Sequence, residues 1–318
     1  MAKKPVKYYV VDAFTDSPFK GNPAAVCLLE EERDEQWLQA VAAEFNISMT
    51  CYLTRLTDPG SDSLKSPNPR FHIRWFTPVA EVELCGHATL AAAHTLFSSG
   101  LVNSNIIEFV TLSGILTAKK FLEIKASDSS DIQNGEAQEC FLIELNFPTV
   151  PAIDVNSAEA SSVSSALNGA SVIDIKKITT SDALFVVLPS GESVIEIQPE
   201  FDAICKCPGL GIIVSGAAPS GSGFDFYSRI FWPKLGINEH DLLRYIIQKV
   251  VEGTFDPVCG SAHCTLAPYW SKKLGKCDLV AYQASARSGV LNIHLDEQNQ
   301  RVLLRGKAVT IMEGSLLV

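Results

Sequence analysis

The sequence predicts an α+β fold in two similar halves, each a curled β-sheet wrapped around one central helix. Three observations carry that expectation. Arg74-Trp75-Phe76-Thr77-Pro78 leads to Cys85-Gly86-His87 and an alanine-rich apolar run. Arg229-Ile230-Phe231-Trp232-Pro233 leads to Cys259-Gly260-Ser261 and a second such run, Ala262 to Leu274. Self-similarity on this scale points to a duplicated fold. The remainder is dominated by strand-like runs, and the two apolar runs are the natural centres of the halves. The division expected is 1–120 together with the last strand, 305–318, against 121–304, with 240–255 as an inserted helical segment.

The elements follow in chain order. Lys7 to Phe14 is rich in β-branched and aromatic residues and reads as a strand. Gly21-Asn22-Pro23 turns the chain into a second strand, Ala24 to Leu29. Arg33 to Phe45 sets Trp37, Leu38, Val41 and Phe45 at helical spacing, as an amphipathic surface helix does. Met49 to Leu56 and Arg70 to Phe76 return to strand, separated by a Pro, Ser, Gly and Asp loop from Asp58 to Pro69. His87 to Phe97 is apolar nearly all round, so a buried helix is expected. Strands follow at Ile106 to Leu112, Ile115 to Phe121 and Cys140 to Phe147, with a polar loop at Ser127 to Gln138. Ser157 to Leu167 suits a short surface helix. Ala183 to Leu188, Gly211 to Ser215 and Phe224 to Phe231 continue the β pattern, and Leu291 to Leu295, Arg301 to Leu304 and Ala308 to Met312 close it as a meander.

Composition narrows the class. Apolar residues make up 47% and charged residues 19% of 318, a globular profile with material for sizeable cores. A net charge of −10 argues against a nucleic-acid surface, which needs clustered Lys and Arg. No signal peptide, membrane span or lipid anchor is apparent, so the expectation is a cytoplasmic protein without membrane partners. Nine cysteines are an odd count in a large chain, which argues against a disulfide framework. Cys27, Cys51, Cys140 and Cys264 sit in apolar runs as small buried hydrophobes. Cys205-Lys206-Cys207 has no second pair at zinc-finger spacing and reads as a loop feature. No paired C-x-x-C, His-x-x-x-His, phosphate loop, dinucleotide fingerprint or Gly-x-Ser-x-Gly elbow is present, so neither metal nor cofactor is expected.

Only Cys85 and Cys259 stand at equivalent places in the repeat. Each precedes a helix start, where free backbone N–H groups favour an anion and lower a thiol's pKa. Two such starts facing each other are suited to hold one carboxylate and exchange protons on it. The bland alternative is that both cysteines are tight-packing residues that end strands.

Val11-Asp12-Ala13-Phe14, Gly21-Asn22-Pro23-Ala24-Ala25-Val26, Phe76-Thr77-Pro78, Leu84-Cys85-Gly86-His87-Ala88-Thr89, Asp256-Pro257-Val258-Cys259-Gly260-Ser261-Ala262-His263 and Arg305-Gly306-Lys307-Ala308 together resemble the PhzF-like family of phenazine-biosynthesis-type isomerases. The resemblance spans nearly the whole chain in order. It implies the diaminopimelate-epimerase-like fold, an active site between the halves, cofactor-free proton transfer on a small carboxylate, and a homodimer. Carried onto this sequence, it makes His87 a group that polarises or reprotonates a substrate carbon, and Asp256 one that orients the substrate. Asn22, Ser48, Gly86, Gly260 and Ser261 become substrate-binding positions. Against these stand plainer roles: a capping or buried histidine for His87, a turn residue before proline for Asp256, a helix N-cap for Ser261, and core or helix-face positions for His94 and His263.

Two departures bear on function. The family's acid/base glutamate follows an Asn-x-Ser segment, but Asn46-Ile47-Ser48 is followed here by Met49, whose thioether carries no proton. An insertion from His240 to Phe255 separates Glu239 from Asp256. The candidates are therefore a cofactor-independent PhzF-like isomerase impaired at Met49, a two-thiol amino-acid or hydroxy-acid epimerase or racemase using Cys85 and Cys259, and a non-catalytic binding protein.

Overall fold

The structure, a computed structural model, describes residues 4–56, 67–122, 141–232, 234 and 259–318. Among them the strands are β1 (Val6–Ala13), β2 (Asn22–Leu29), β3 (Met49–Leu56), β4 (Arg70–Phe76), β5 (Glu81–Val82), β6 (Ile106–Thr111), β7 (Gly114–Leu122) and β8 (Phe141–Pro148). There follow β9 (Ala152–Asp154), β10 (Asp174–Ile178), β11 (Leu184–Val187), β12 (Ile212–Ala217), β13 (Phe226–Phe231), β14 (Asp278–Gln283), β15 (Gly289–Asp296), β16 (Arg301–Gly306) and β17 (Ala308–Leu316). The helices are α1 (Glu35–Phe45), α2 (Gly86–Ser98), α3 (Ser157–Ala166), α4 (Gly191–Glu196), α5 (Phe201–Lys206) and α6 (His263–Leu274).

Strand pairing repeats step for step. One series runs β17·β1·β2·β3·β4·β6·β7·β8, with β2·β3 and β4·β6 parallel and the rest antiparallel. The other runs β9·β10·β11·β12·β13·β14·β15·β16, with β11·β12 and β13·β14 parallel at the corresponding steps. The two series join where β8 and β16 pair antiparallel. The C-terminal strand β17 lies against β1, in the place β9 takes against β10. Parallel neighbours need a crossover, and helices supply it: α1 for β2·β3, α2 for β4·β6, α4 and α5 for β11·β12, and α6 for β13·β14. Even a detail of the repeated motif recurs, since Arg74 lies 5.1 Å over the ring of Phe76 and Arg229 lies 5.1 Å over that of Phe231.

The helices divide by environment as their sequences dictate. Every residue of α2 from Gly86 to Phe97 is buried, as an all-round apolar helix must be. The helix α1 is amphipathic and buries only Leu38, Val41 and Ala42. Its start is capped by Asp34, which accepts from the Trp37 N–H, and left-handed Asn46 ends it. In α6, Pro268 brings no N–H to the carbonyl of Cys264, and the Val150 N–H takes that carbonyl instead at 3.0 Å. One continuous core holds residues of both series, among them Val26, Trp75, Leu90 and Leu145 with Phe226, Leu266, Ala281 and Leu304.

Several expectations are corrected or completed by the structure. Asp174–Ile178 and Asp278–Gln283 are strands that the sequence pattern did not announce. Cys205-Lys206-Cys207 is not a loop but the end of α5, where the Cys207 thiol donates to the Ala203 carbonyl at 3.4 Å. Cys27, Cys51 and Cys264 are fully buried as expected. Cys140, most of the Asp58 to Pro69 loop, the Ser127 to Gln138 loop, Asp256 and the 240–255 segment lie outside the described residues. No described helix is long and apolar enough to cross a membrane.

Candidate functional site

The starts of α2 and α6 meet. A Cβ placed on Gly86 would lie 2.7 Å from the Cα of Gly260 and 3.0 Å from the Ser261 nitrogen. One placed on Gly260 would lie 3.0 Å from the Cα of Gly86. The contact is reciprocal, each glycine abutting the backbone of the other. Only residues without side chains let two backbones approach this closely. The buried ring of Phe14 lies behind the seam, 3.2 Å from the Cβ position of Gly260 and 2.6 Å from that of Gly306. Phe14 reaches this place from a left-handed backbone turn (φ 61°) at the end of β1. Asp12, also buried, ties the same turn to the other series through Arg287 at 2.6 Å, while the Arg287 Nε–H donates to the Gly21 carbonyl at 2.9 Å.

On the α2 side the candidate residues form one hydrogen-bonded chain. The Cys85 Sγ lies 3.3 Å from Nδ1 of His87, and His87 Nε2 lies 3.3 Å from the Ser48 Oγ. The Ser48 hydroxyl is 2.7 Å from both the Asn22 Oδ1 and the Pro23 carbonyl. Burial pushes the Cys85 thiol well up, against the smaller opposing effect of backbone N–H groups at Ala88 and His87. Burial also lowers His87 to about 3, with the Pro23 carbonyl working weakly the other way. A protonated thiol and a neutral imidazole leave one consistent proton order. The Cys85 S–H donates to Nδ1, the Nε2–H donates to the Ser48 Oγ, and the Ser48 O–H donates to Pro23 or Asn22.

The α6 side is built differently. Cys259 is partly exposed, with its Sγ 3.4 Å from the Ser261 Oγ. Ser261 does not cap the helix: Ala262 is the capping residue and provides no side-chain bond. The first turn is wound tightly instead, with His263 N–H on the Gly260 carbonyl at 3.1 Å and Cys264 N–H on the Ser261 carbonyl at 3.0 Å. His263 is fully buried, as expected of a core histidine, and its Nδ1–H donates to the Cys259 carbonyl at 2.8 Å. Burial lowers it to about 4, so it too is neutral near pH 7.

Met49 opens β3 directly after Ser48 and is 5% exposed, packed within the main core. Strand alternation puts it on the same face as Cys51, whose thiol donates to the Ala88 carbonyl in the first turn of α2 at 3.7 Å. Asn22, Ser48, Cys85, Gly86 and His87 are thus gathered at the start of α2 and meet Gly260 and Ser261 across the seam, with Cys259 adjoining. Thr89 and Arg287 were not singled out by sequence. The signal for Thr89 was available, because it stands at the same offset from Cys85 as His263 does from Cys259.

Two matched halves around buried helices, with Cys-Gly starts abutting, define a protein of the epimerase-like α+β class. The phenazine biosynthesis-like (PhzC-PhzF) family model matches residues 11–314, and the chain belongs to that family. It is 39% identical over 311 residues to an uncharacterised isomerase of Halalkalibacterium halodurans, covering 98% of each chain. A PhzF-family crystal structure from Enterococcus faecalis superposes with a TM-score of 0.73 at 34% identity, covering 98% of this chain and 99% of that one. The likeness in fold extends to a predicted epimerase of Pseudomonas aeruginosa, with a TM-score of 0.67 at 19% identity and coverage of 98% and 99%.

Proposed function

We propose that this protein is a PhzF-like isomerase that moves a proton within a small carboxylate held where the starts of α2 and α6 meet. The observation that carries the proposal is the reciprocal Gly86–Gly260 contact. It brings two helix N-termini, with their free N–H groups, to one place, where they favour a carboxylate. His87 polarises the substrate in this scheme. Burial keeps the ring neutral, so it acts as a hydrogen-bonding group beside Ser48, and the proton is carried to and from carbon by a group that replaces the missing glutamate. Asp256 is the residue that the family resemblance assigns to orienting the substrate, and Asn22 and Ser48 fix the imidazole.

The two-thiol alternative is weaker on chemical grounds. It needs a thiolate at Cys85, but that sulfur is buried and its proton is engaged by His87. A binding role without catalysis draws support from Met49, which offers no proton carrier where the family places its glutamate.

Incubation in heavy water with a panel of cyclic unsaturated and hydroxylated carboxylic acids tests the proposal. The expected outcome is carbon-bound deuterium in at least one acid, and more of it with Met49→Glu than with the parent. No incorporation by either protein, both folded by circular dichroism, would leave the binding role.

A further inference from the structure

Thr89 and His263 stand four residues after the two equivalent cysteines, and each side chain donates to the carbonyl of its own cysteine. Thr89 Oγ1–H reaches the Cys85 carbonyl at 2.5 Å, and His263 Nδ1–H reaches the Cys259 carbonyl at 2.8 Å. The backbone around them differs. In α2 the Cys85 carbonyl also accepts the Thr89 backbone N–H at 3.2 Å, the ordinary helical bond. In α6 the His263 N–H goes to Gly260 instead, and the imidazole takes the place of the helical bond to Cys259.

A trans, planar peptide sets its N–H opposite its C=O, and the chain contains no cis peptide among the described residues. Holding the Cys259 carbonyl towards the body of α6 therefore aims the Gly260 N–H out of the helix start, into the seam. The same argument applies to Cys85 and Gly86. The tie at His263 is made at a cost, because its Nε2 is buried with no hydrogen-bond partner among the described residues. The ring is set in place by stacking on Phe226, which stacks in turn on Trp270; the Trp270 indole N–H donates to the buried Ser215 Oγ at 2.9 Å.

We infer that His263 is a positioning residue for the second half-site, fixing the Cys259–Gly260 peptide so that its N–H and the neighbouring thiol face the seam, with Thr89 doing the same for the first. The inference rests on the seam being the functional site, but its test needs no turnover. Iodoacetamide alkylation of Cys259 is followed by peptide mass spectrometry against pH in the full-length parent, His263→Leu and His263→Asn. Asn retains a donor near the Nδ1 position, whereas Leu has none.

The expected result is that His263→Leu folds with a melting midpoint close to the parent's, since removing the orphaned Nε2 offsets the lost bond to the Cys259 carbonyl. Its Cys259 alkylation rate should move by about fivefold to tenfold, the span set by losing one hydrogen bond. His263→Asn should stay within about twofold of the parent, as a retained donor requires. Parent-like alkylation in both variants, or an equal departure in both, would overturn the inference. Should His263→Leu fail to fold, the Gly260 amide signal in ¹⁵N-labelled His263→Asn decides: a parent-like position supports the tie, and a random-coil position overturns it.

Discussion

The two helix starts share a sequence pattern, a fold position and a contact, yet their chemistry diverges at the second residue after each cysteine. His87 closes a buried chain from Cys85 through Ser48 to Asn22 and Pro23. Ser261, at the equivalent place, reaches only the Cys259 sulfur among the described residues and leaves that thiol partly exposed. A duplicated scaffold has thus produced one closed, neutral, proton-ordered half-site and one open half-site. The lesson is that backbone symmetry fixes where chemistry happens, while single substitutions at matched positions decide which chemistry each side performs.

The contact that both halves share is where a substitution should do the most damage. Gly86→Ala sets a methyl against the Gly260 backbone, which has no flexible side chain to yield. Overpacking of this kind costs ~1–3 kcal/mol, and urea denaturation should show it together with loss of any exchange activity. Gly260→Ala meets the Gly86 Cα at 3.0 Å rather than 2.7 Å and the Phe14 ring at 3.2 Å, so its loss should be the smaller of the two.

Acid should separate the buried histidines from the rest of the molecule. His87 is held at about 3, and His94 and His263 at about 4, all three chiefly by burial. Folded values below the unfolded 6.5 mean that the unfolded chain binds more protons between these limits. Stability is therefore full above 6.5 and falls as pH drops towards 3 to 4. The His87 contribution alone is on the order of 3 kcal/mol by about pH 4. A His87→Gln variant should show a shallower fall of the urea midpoint between those pH values.

Ser48→Ala is a smaller perturbation with a sharper meaning. It removes the acceptor for the His87 Nε2–H, and the net loss of such a bond is ~1 kcal/mol. The ¹⁵N spectrum of the imidazole should report a changed tautomer balance in that variant, while the Cys259 side remains as in the parent.

Much of this arrangement was legible in the sequence, and the exceptions have physical causes. The strands Met49–Leu56 and Arg70–Phe76 and the buried helix after Cys85 follow from local pattern, because burial there is strong enough to write itself into residue type. Asp174–Ile178 was hidden because Lys176 and Lys177 occupy it; they are neutralised by Asp154, Asp174 and Glu159, partners that only the fold reveals. The helices Gly191–Glu196 and Phe201–Lys206 are too short for a period to register. The duplicated cysteines pointed to the site, but the carbonyl ties from Thr89 and His263 depend on a three-dimensional turn, and His263 alone reads as an ordinary core residue.

The difference between the half-sites is tested most directly by thiol competition in the native protein. Iodoacetamide at about pH 8, below the usual thiol value of about 8.5, is allowed to react briefly before peptide mass spectrometry, with exposed Cys205 as the internal standard. Cys259 should be alkylated at a rate comparable to that of Cys205, and Cys85 should remain unmodified until denaturant unfolds the chain. Labelling of Cys85 as fast as Cys259 in the folded protein would contradict the account, because a thiol buried and bonded to His87 has neither the access nor the charge to react.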